Sequence, residues 1–351
     1  MINKIGIIGR TAYGTDLCDG QTVKTRVLAE ELQRKYPTAK MYFVDTYNYK
    51  KHPIRLLFNL LKCLKNSQAV FILLSRNGMR VIFPIVNFLN FFFRKPIIHD
   101  CIGGSLDELC KKYSGIKKQI KRFTLNWVES EKLTERLKAL GVGNVEYLPN
   151  FKRLEQLDEA DLSVYKQKQF KFCTFSRVNE AKGIGRAAEA VIKINKEEKQ
   201  NIACLDVYGP IEENYDVKLN EYIKESNGAI AYKGVADYSE SVRILKEYYA
   251  LLFPTTHFGE GFPGTIIDAF SAGVPVIATD WNLNSEIIKH KFTGFLYDWK
   301  NEEALEMWMR YIIENPEKQY EMQKNCIKEA KKYSPDVVMQ VIDKKLCELV
   351  K

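Results

Sequence analysis

Short apolar runs, most of them cut off by glycine, proline, aspartate or serine and separated by stretches of helical length, recur along this chain. Residues 4–8, 41–44, 69–74, 96–99, 126–129 and 145–148 form one series, and residues 170–175, 203–208 and 232–235 open a second. Runs of this kind read as strands buried on both faces, with the intervening helices as the cover. The alternation predicts right-handed βαβ units and parallel sheets, an α/β class. At 351 residues the chain has the length for two domains with separate cores. The first series ends at Pro149 and Asn150, so the expected division is 1–150 and 151–334.

Residues 254–280, PTTHFGEGFPGTIIDAFSAGVPVIATD, concentrate the chemistry. Glu260 sits among Gly259, Gly261 and Gly264, where small residues let a backbone approach a ligand closely. A helix is expected from about Thr265, closed by Gly273, and its free N–H groups and positive dipole end suit a diphosphate. Asp268 has two readings. With Thr265 it makes a T-x-x-D capping box, which satisfies a backbone N–H at the helix start; the same carboxylate is also placed to face a ligand. A second candidate turn follows residues 170–175, where Arg177 and Lys182 stand five positions apart between a strand and a helix. Two fixed cations there would stabilise negative charge growing on a leaving diphosphate, the work a metal does elsewhere.

Composition narrows the partners. Residues 1–150 hold 25 Lys and Arg against 12 Asp and Glu, and the remainder holds 28 against 32, so the net charge of +9 belongs to the first half. That half is expected to meet an anionic partner, a membrane surface or an acidic acceptor. No recognition-helix, zinc-finger or RNP-like signature supports nucleic acid. The segments 53–66 and 79–94 are strongly apolar helices, the second with a 13-residue core too short to span a bilayer. They either pack wholly on the sheet or use part of their surface, with Arg80, Arg94, Lys95 and the basic helix CKKYSGIKKQIKRF, to dock on anionic lipid. Eight cysteines, at 18, 63, 101, 110, 173, 204, 326 and 347, show no C-x-x-C pairing, which argues against a zinc site and a disulfide framework. The opening MINKIGIIGR lacks the pattern of a secretory signal, so the expected location is cytoplasmic, with peripheral contact at the inner face of the cell membrane.

The pattern PxxxxxxEGFPGxxxDAxxAGxPVIA around Glu260 and Asp268, the R-x4-K pair Arg177 and Lys182, the HD at His99–Asp100 and the segment YLPNFKRLE resemble retaining GT-B-type glycosyltransferases of family 4. The resemblance covers nearly the whole chain, and its specific motifs lie between residues 175 and 298. It implies a GT-B architecture of two Rossmann-like domains facing a central cleft, with the helix over about 335–351 packing back on the first domain. It implies transfer of a sugar from a nucleotide-diphosphate sugar, UDP-sugar favoured, to a glycan or lipid-linked glycan acceptor, as in bacterial surface polysaccharide assembly. The anomeric configuration would be retained, and no metal or other cofactor would be required. By the same resemblance Glu260 contacts the transferred sugar and His99 hydrogen-bonds it. Arg177 and Lys182 hold the diphosphate, and Gly261, Phe262, Pro263, Gly264 and Thr265 form the donor loop. Tyr208, Gly209 and the Val235 backbone line the base pocket, with Tyr297 and Asp298 closing that region. Asp268 would take the ribose hydroxyls, although it is one methylene shorter than the usual Glu. Asp19, Gly20, Gln21, Asp100, Gly103 and Gly104 would lie on the acceptor side. The competing readings are a nucleotide-sugar epimerase of the same fold, which needs a second acid cluster not found here, and a catalytically silent nucleotide-binding or membrane-scaffolding subunit.

Overall fold

A computed structural model describes residues 1–15, 19–162 and 168–350; Cys18 lies outside them. The first six strands, β1 (Lys4–Gly9), β2 (Lys40–Asp45), β3 (Ala69–Leu73), β4 (Ile97–Asp100), β5 (Leu125–Val128) and β6 (Val145–Tyr147), form one sheet in the order β2-β1-β3-β4-β5-β6. The next six, β7 (Phe170–Phe175), β8 (Ala203–Tyr208), β9 (Ile230–Gly234), β10 (Ala250–Phe253), β11 (Val276–Thr279) and β12 (Gly294–Tyr297), form the other in the order β12-β11-β10-β7-β8-β9. Among the described residues every pairing between these strands is parallel. In each sheet the strand order reverses beside the first strand, between β1 and β3 and between β7 and β10. Open α/β sheets bind ligands at the carboxyl ends of the strands at such a switch point.

The chain divides into two compact units, Met1–Phe151 with Pro335–Lys351, and Lys152–Ser334. The first unit needs the end of the chain. Ile342 and Leu346 of the helix Pro335–Leu349 are fully buried in one apolar cluster with Ile5, Ile7, Leu28, Leu32 and Trp127. The Tyr36 hydroxyl donates to Asp343 and Lys345 pairs with Glu146 at 2.7 Å, so polar contacts fix the same helix at its rim.

The structure departs from the expected elements at two places. The basic segment is two short helices, Leu106–Lys112 and Ser114–Ile120, because Tyr113 takes an extended conformation (φ −127°, ψ 90°) and its ring receives the Arg80 guanidinium 4.6 Å from the centroid. Ser114 and Gly115, weak helix formers, follow directly. The second strongly apolar helix starts three residues earlier than its hydrophobic pattern suggests and runs Arg76–Phe93. No helix among the described residues is long and apolar enough to cross a membrane.

Leu346→Ala leaves a cavity beneath the first sheet and should cost about 2–5 kcal/mol. Urea unfolding of the purified chain checks this, and an unchanged midpoint would show that the C-terminal helix contributes nothing to the first unit.

Candidate functional site

The switch point of the second sheet gathers the charged motif residues. After β7 the chain passes Ser176 and Arg177, makes a short 3-10 turn Glu180–Lys182 capped by the Asn179 side chain (Lys182 N to Oδ1, 2.9 Å), and turns through Gly183 into the helix Ile184–Glu198. Gly183 has φ +74°, and a Cβ there would lie 2.2 Å from the Pro254 carbonyl oxygen. Only glycine lets the loop after β7 sit against the loop after β10. A backbone bond from Thr256 N to Ala181 O (2.8 Å) joins the two loops.

That contact brings Lys182 onto Glu260. The two form an ion pair, both mostly shielded from solvent, and the Thr255 hydroxyl donates to the same carboxylate at 3.1 Å. The loop carrying Glu260 is held from the next strand end. Trp281 Nε1 donates to His257 O at 2.9 Å, and Asn282 Nδ2 donates to the Phe258 and Glu260 carbonyls at 3.1 and 3.2 Å. Burial, with Lys182 nearby, pushes the His257 imidazole down. Arg177 reaches outward and pairs with Glu212 at 2.8 Å, both exposed.

The helix expected from Thr265 runs Gly264–Ser271, with Pro263 as its N-cap and no side chain capping it. The capping-box reading is corrected here. Thr265 Oγ1 donates to Phe175 O at 2.9 Å, and Asp268 is buried, with Lys152 Nζ 2.9 Å from each of its oxygens. Ile266 N donates to Pro263 O at 3.0 Å, and the cap residue Pro263 makes no side-chain bond to the first turn. Burial raises the Asp268 pKa against the pull of Lys152. Lys152 also crowds Gly264, where a Cβ would lie 3.0 Å from its Cε.

Around this centre the remaining second-unit residues differ in setting. Gly209 (φ +130°) packs so tightly on β7 that a Cβ would lie 1.8 Å from Ser176 O. Tyr208 stacks near Phe175 at 5.3 Å, shares a 2.9 Å hydroxyl contact with Tyr248, and lines a hollow of about 420 Å³ with Arg243 and Ile244. Val235, just past β9, is exposed. Phe262 is buried edge-on against Tyr333 at 5.3 Å, so it anchors the loop that carries Glu260. Gly261 and Pro263 flank it in the same loop, Tyr297 is buried at the end of β12, and Asp298 accepts from Lys300 N at 3.0 Å.

The first unit assembles its own cluster at the carboxyl ends of β1, β3, β4 and β5. Asp19 caps the helix Gly20–Lys35 by accepting from Thr22 N (3.1 Å) and pairs with Arg10; Gln21 is buried and donates to Leu73 O at 3.2 Å. Lys24 is buried between Asp100 (2.6 Å) and Glu129 (2.7 Å) and donates to Cys101 O at 2.8 Å. Burial opposes its charge, but the two carboxylates outweigh burial and hold Lys24 above its ordinary pKa. Gly103 (φ +87°) and Gly104 follow in the loop after β4.

His99 stands apart from this group. Successive side chains of a strand point to opposite faces, so Asp100 meets Lys24 while His99 enters the apolar layer beneath the helix Arg76–Phe93. Its ring lies edge-on to Phe83 at 5.0 Å, is fully buried, and bonds Asn126 Oδ1 through Nδ1 at 3.0 Å. Asn126 Nδ2 already donates to the Ile120 and Asn144 carbonyls, so its oxygen faces His99 and Nδ1 carries the proton. Burial pushes the imidazole down to about 4. The expected contact between His99 and a sugar finds no support in this setting, because strand-end position does not say which face a side chain takes.

Lys152, Thr255, Trp281 and Asn282 were not singled out by motif. Thr255 and Asn282 follow the carboxyl ends of β10 and β11, and strand-end position is the signal that would have found them.

These two sheets, their switch points and the paired charges define an α/β two-domain fold of the GT-B glycosyltransferase type. Residues 155–333, half of the chain, match the family model described as "Glycosyl transferases group 1", and the chain belongs to that family. A curated relative, "Glycosyltransferase 1 domain-containing protein 1" of Xenopus tropicalis, is 27% identical over 137 residues, which cover 39% of this chain and 37% of the relative. The matched part is thus about a third of that relative's length. Among solved structures, Anabaena Alr3699/HepE in complex with UDP superposes with a TM-score of 0.75 at 14% identity, covering 99% of this chain and 100% of that one. Sucrose-phosphate synthase from Thermosynechococcus elongatus gives 0.75 at 14% identity, with 99% of both chains covered. The lipopolysaccharide outer core galactosyltransferase WaaB gives 0.69 at 14%, covering 98% of this chain and 99% of the other.

The His99 assignment predicts a pH dependence. The folded state holds the imidazole neutral to about 4, whereas the unfolded chain protonates near 6.5. Between those values the unfolded state binds more protons, so this contribution is intact above 6.5 and is lost as pH falls. By pH 5 wild type should lose about 2 kcal/mol more than His99→Gln. Parallel urea titrations at pH 7.5 and 5 read the difference, and equal losses would show that His99 titrates normally.

Proposed function

We propose that this chain is a retaining glycosyltransferase that moves a sugar from a nucleotide-diphosphate sugar, UDP-sugar favoured, to a hydroxyl of a glycan or lipid-linked glycan, as in bacterial surface polysaccharide assembly. The observation that carries the reading is the Lys182–Glu260 ion pair at the switch point of the second sheet, with Arg177 on the same loop tied only by an exposed pair with Glu212 and the start of the helix Gly264–Ser271 on the loop that carries Glu260. UDP and UDP-glucose are bound by the neighbour Alr3699/HepE, which supports the choice of donor.

In this reading the diphosphate lies against Arg177, Lys182 and the first turn of Gly264–Ser271. Arg177 gives up only an exposed pair with Glu212, worth about 0–1 kcal/mol, to reach it. Lys182 is shared between the diphosphate and Glu260, which holds the sugar. The bond from the anomeric carbon to the phosphate oxygen breaks, the acceptor oxygen bonds to that carbon on the same face, and the acceptor proton passes to the departing phosphate. Charge growing on the diphosphate is met by two cations already in place, so the reaction needs no metal. Gly261, Phe262, Pro263 and Thr265 shape the donor loop, and Tyr208, Gly209 and Val235 line the base side. Asp268, clamped by Lys152, acts as a positioning residue. The cluster of Asp19, Gly20, Gln21, Asp100, Gly103 and Gly104 lies on the acceptor side, and His99 supports the sheet from within. The chain works in the cytoplasm at the inner face of the membrane, where a lipid-linked acceptor is presented.

A thermal-shift panel of UDP, GDP, ADP and their sugars tests the donor, since binding stabilises by mass action. A shift with UDP-sugar that survives EDTA and is lost in Arg177→Ala and Lys182→Ala is expected; no shift with any nucleotide would overturn the reading. Glu260→Gln should keep donor binding and lower turnover by about 100-fold or more, and turnover equal to wild type would remove Glu260 from the chemistry.

A further inference from the structure

The helix Arg76–Phe93 is apolar on two sides. Met79, Ile82, Phe83, Val86 and Leu89 are buried in the first unit's core, yet Phe88, Phe91 and Phe92 stand 67%, 72% and 67% exposed on the other side. These three rings meet edge to face, with centroids 5.8 and 5.4 Å apart, so they form one surface. The helix Pro53–Asn66, packed beside it, repeats the pattern: Leu56, Leu60 and Leu64 are buried, while Ile54 (72%) and Phe58 (66%) point outward. A helix of a soluble domain shows one apolar stripe to its core and a polar back. Contiguous exposed apolar surface marks a contact site.

Charge identifies the partner. Between Asp45 and Asp100 the sequence has no acidic residue and nine Lys and Arg. A groove of about 640 Å³ beside the helix end has Phe88 and Phe91 with Arg94, Lys95 and Arg122, and none of these three cations enters an ion pair among the described residues. A smaller hollow of about 560 Å³ joins Ile54 and Phe58 to Lys51 and Arg55 in the same way. Phenyl rings next to unpaired cations, on helices lying along the surface, match the boundary of a bilayer, where acyl chains lie beneath phosphate. A second copy of the chain fits poorly, because a self-complementary contact would set the same acid-free cationic rim against itself.

We propose that the outward faces of Pro53–Asn66 and Arg76–Phe93 form a docking surface for a bilayer containing anionic phospholipid. Phe58, Phe88, Phe91 and Phe92 enter the headgroup–acyl boundary, and Arg55, Arg94, Lys95 and Arg122 bind lipid phosphates. The proposal deepens the reading of a lipid-linked acceptor by naming the surface that meets its membrane, and it is tested without the transfer reaction.

The full chain is sedimented with vesicles of pure phosphatidylcholine and of phosphatidylcholine mixed with phosphatidylglycerol. Binding to the mixed vesicles should be at least about tenfold tighter and should weaken with added salt. Phe91→Ser with Phe92→Ser, and separately Lys95→Glu with Arg122→Glu, should each weaken it about tenfold or more. Phe91, Phe92 and Arg122 are exposed and Lys95 is half-buried, outside the core, so the UDP-sugar thermal shift of both variants should match wild type and report an intact fold. Equal binding to both vesicle types, wild-type binding by either variant, or no binding at all would overturn the proposal. So would a dimer in sedimentation velocity that the phenylalanine variant dissolves. A donor shift without vesicle binding sinks this surface alone, whereas vesicle binding without a donor shift leaves it standing and sinks the donor reading.

Discussion

Where two parallel strands lie side by side and their crossovers leave in opposite directions, the loops at their carboxyl ends part and leave room for a ligand. β7 and β10 are such a pair, and the second unit hangs its charged residues on them. The parting is narrow. Gly183 admits the Pro254 carbonyl into space a methyl group would fill, and the Thr256–Ala181 backbone bond keeps the two loops in step. From that contact follow the Lys182–Glu260 pair, the Thr255 hydroxyl beneath it and the tie from Asn282. A cation and an acid 78 positions apart in sequence become neighbours because two strand ends do.

The first sheet has a different strand order, with its switch point between β1 and β3, and uses that point differently. Lys24 lies buried between two carboxylates, and removing the lysine would leave both without their cation in low dielectric. In the second unit Lys182 is paired with Glu260 and mostly shielded, whereas Arg177 is tied only by a solvent-exposed pair. One cluster suits holding strand ends in place, the other exchanging partners with an anion.

Much of the architecture was legible from pattern. Runs such as AVFIL and ALLF, buried throughout, announce central parallel strands, and the helical segments between them account for both cover layers. The R-x4-K and E-x7-D residues were legible as candidates because glycine, strand end and charge coincide there. Other features were not. Asp268 reads as a cap until Lys152, 116 positions upstream, is seen to claim both its oxygens. His99 reads as a site residue until the pleat turns it inward onto Phe83. Tyr113 breaks a basic helix because its ring stacks on Arg80 from another element. In each case a long-range partner overrode a local signal, and local spacing carries no record of that partner. Glycosyltransferase kinship belongs with the legible part; the face taken by each strand-end side chain does not.

The first unit is built from both ends of the chain, with the second unit inserted between them. Ile342 and Leu346 complete an apolar cluster whose other members include Ile5 and Ile7 near the amino terminus. During synthesis the opening strands therefore emerge long before the helix that seals them. The inserted unit, continuous in sequence, can close while its predecessor still waits with part of its core exposed. A ribosome that stalled after Ser334 would release a finished second unit attached to an unsealed first one. Chaperone demand and proteolytic risk during biogenesis fall on the first unit until the helix Pro335–Leu349 has emerged and covered its core.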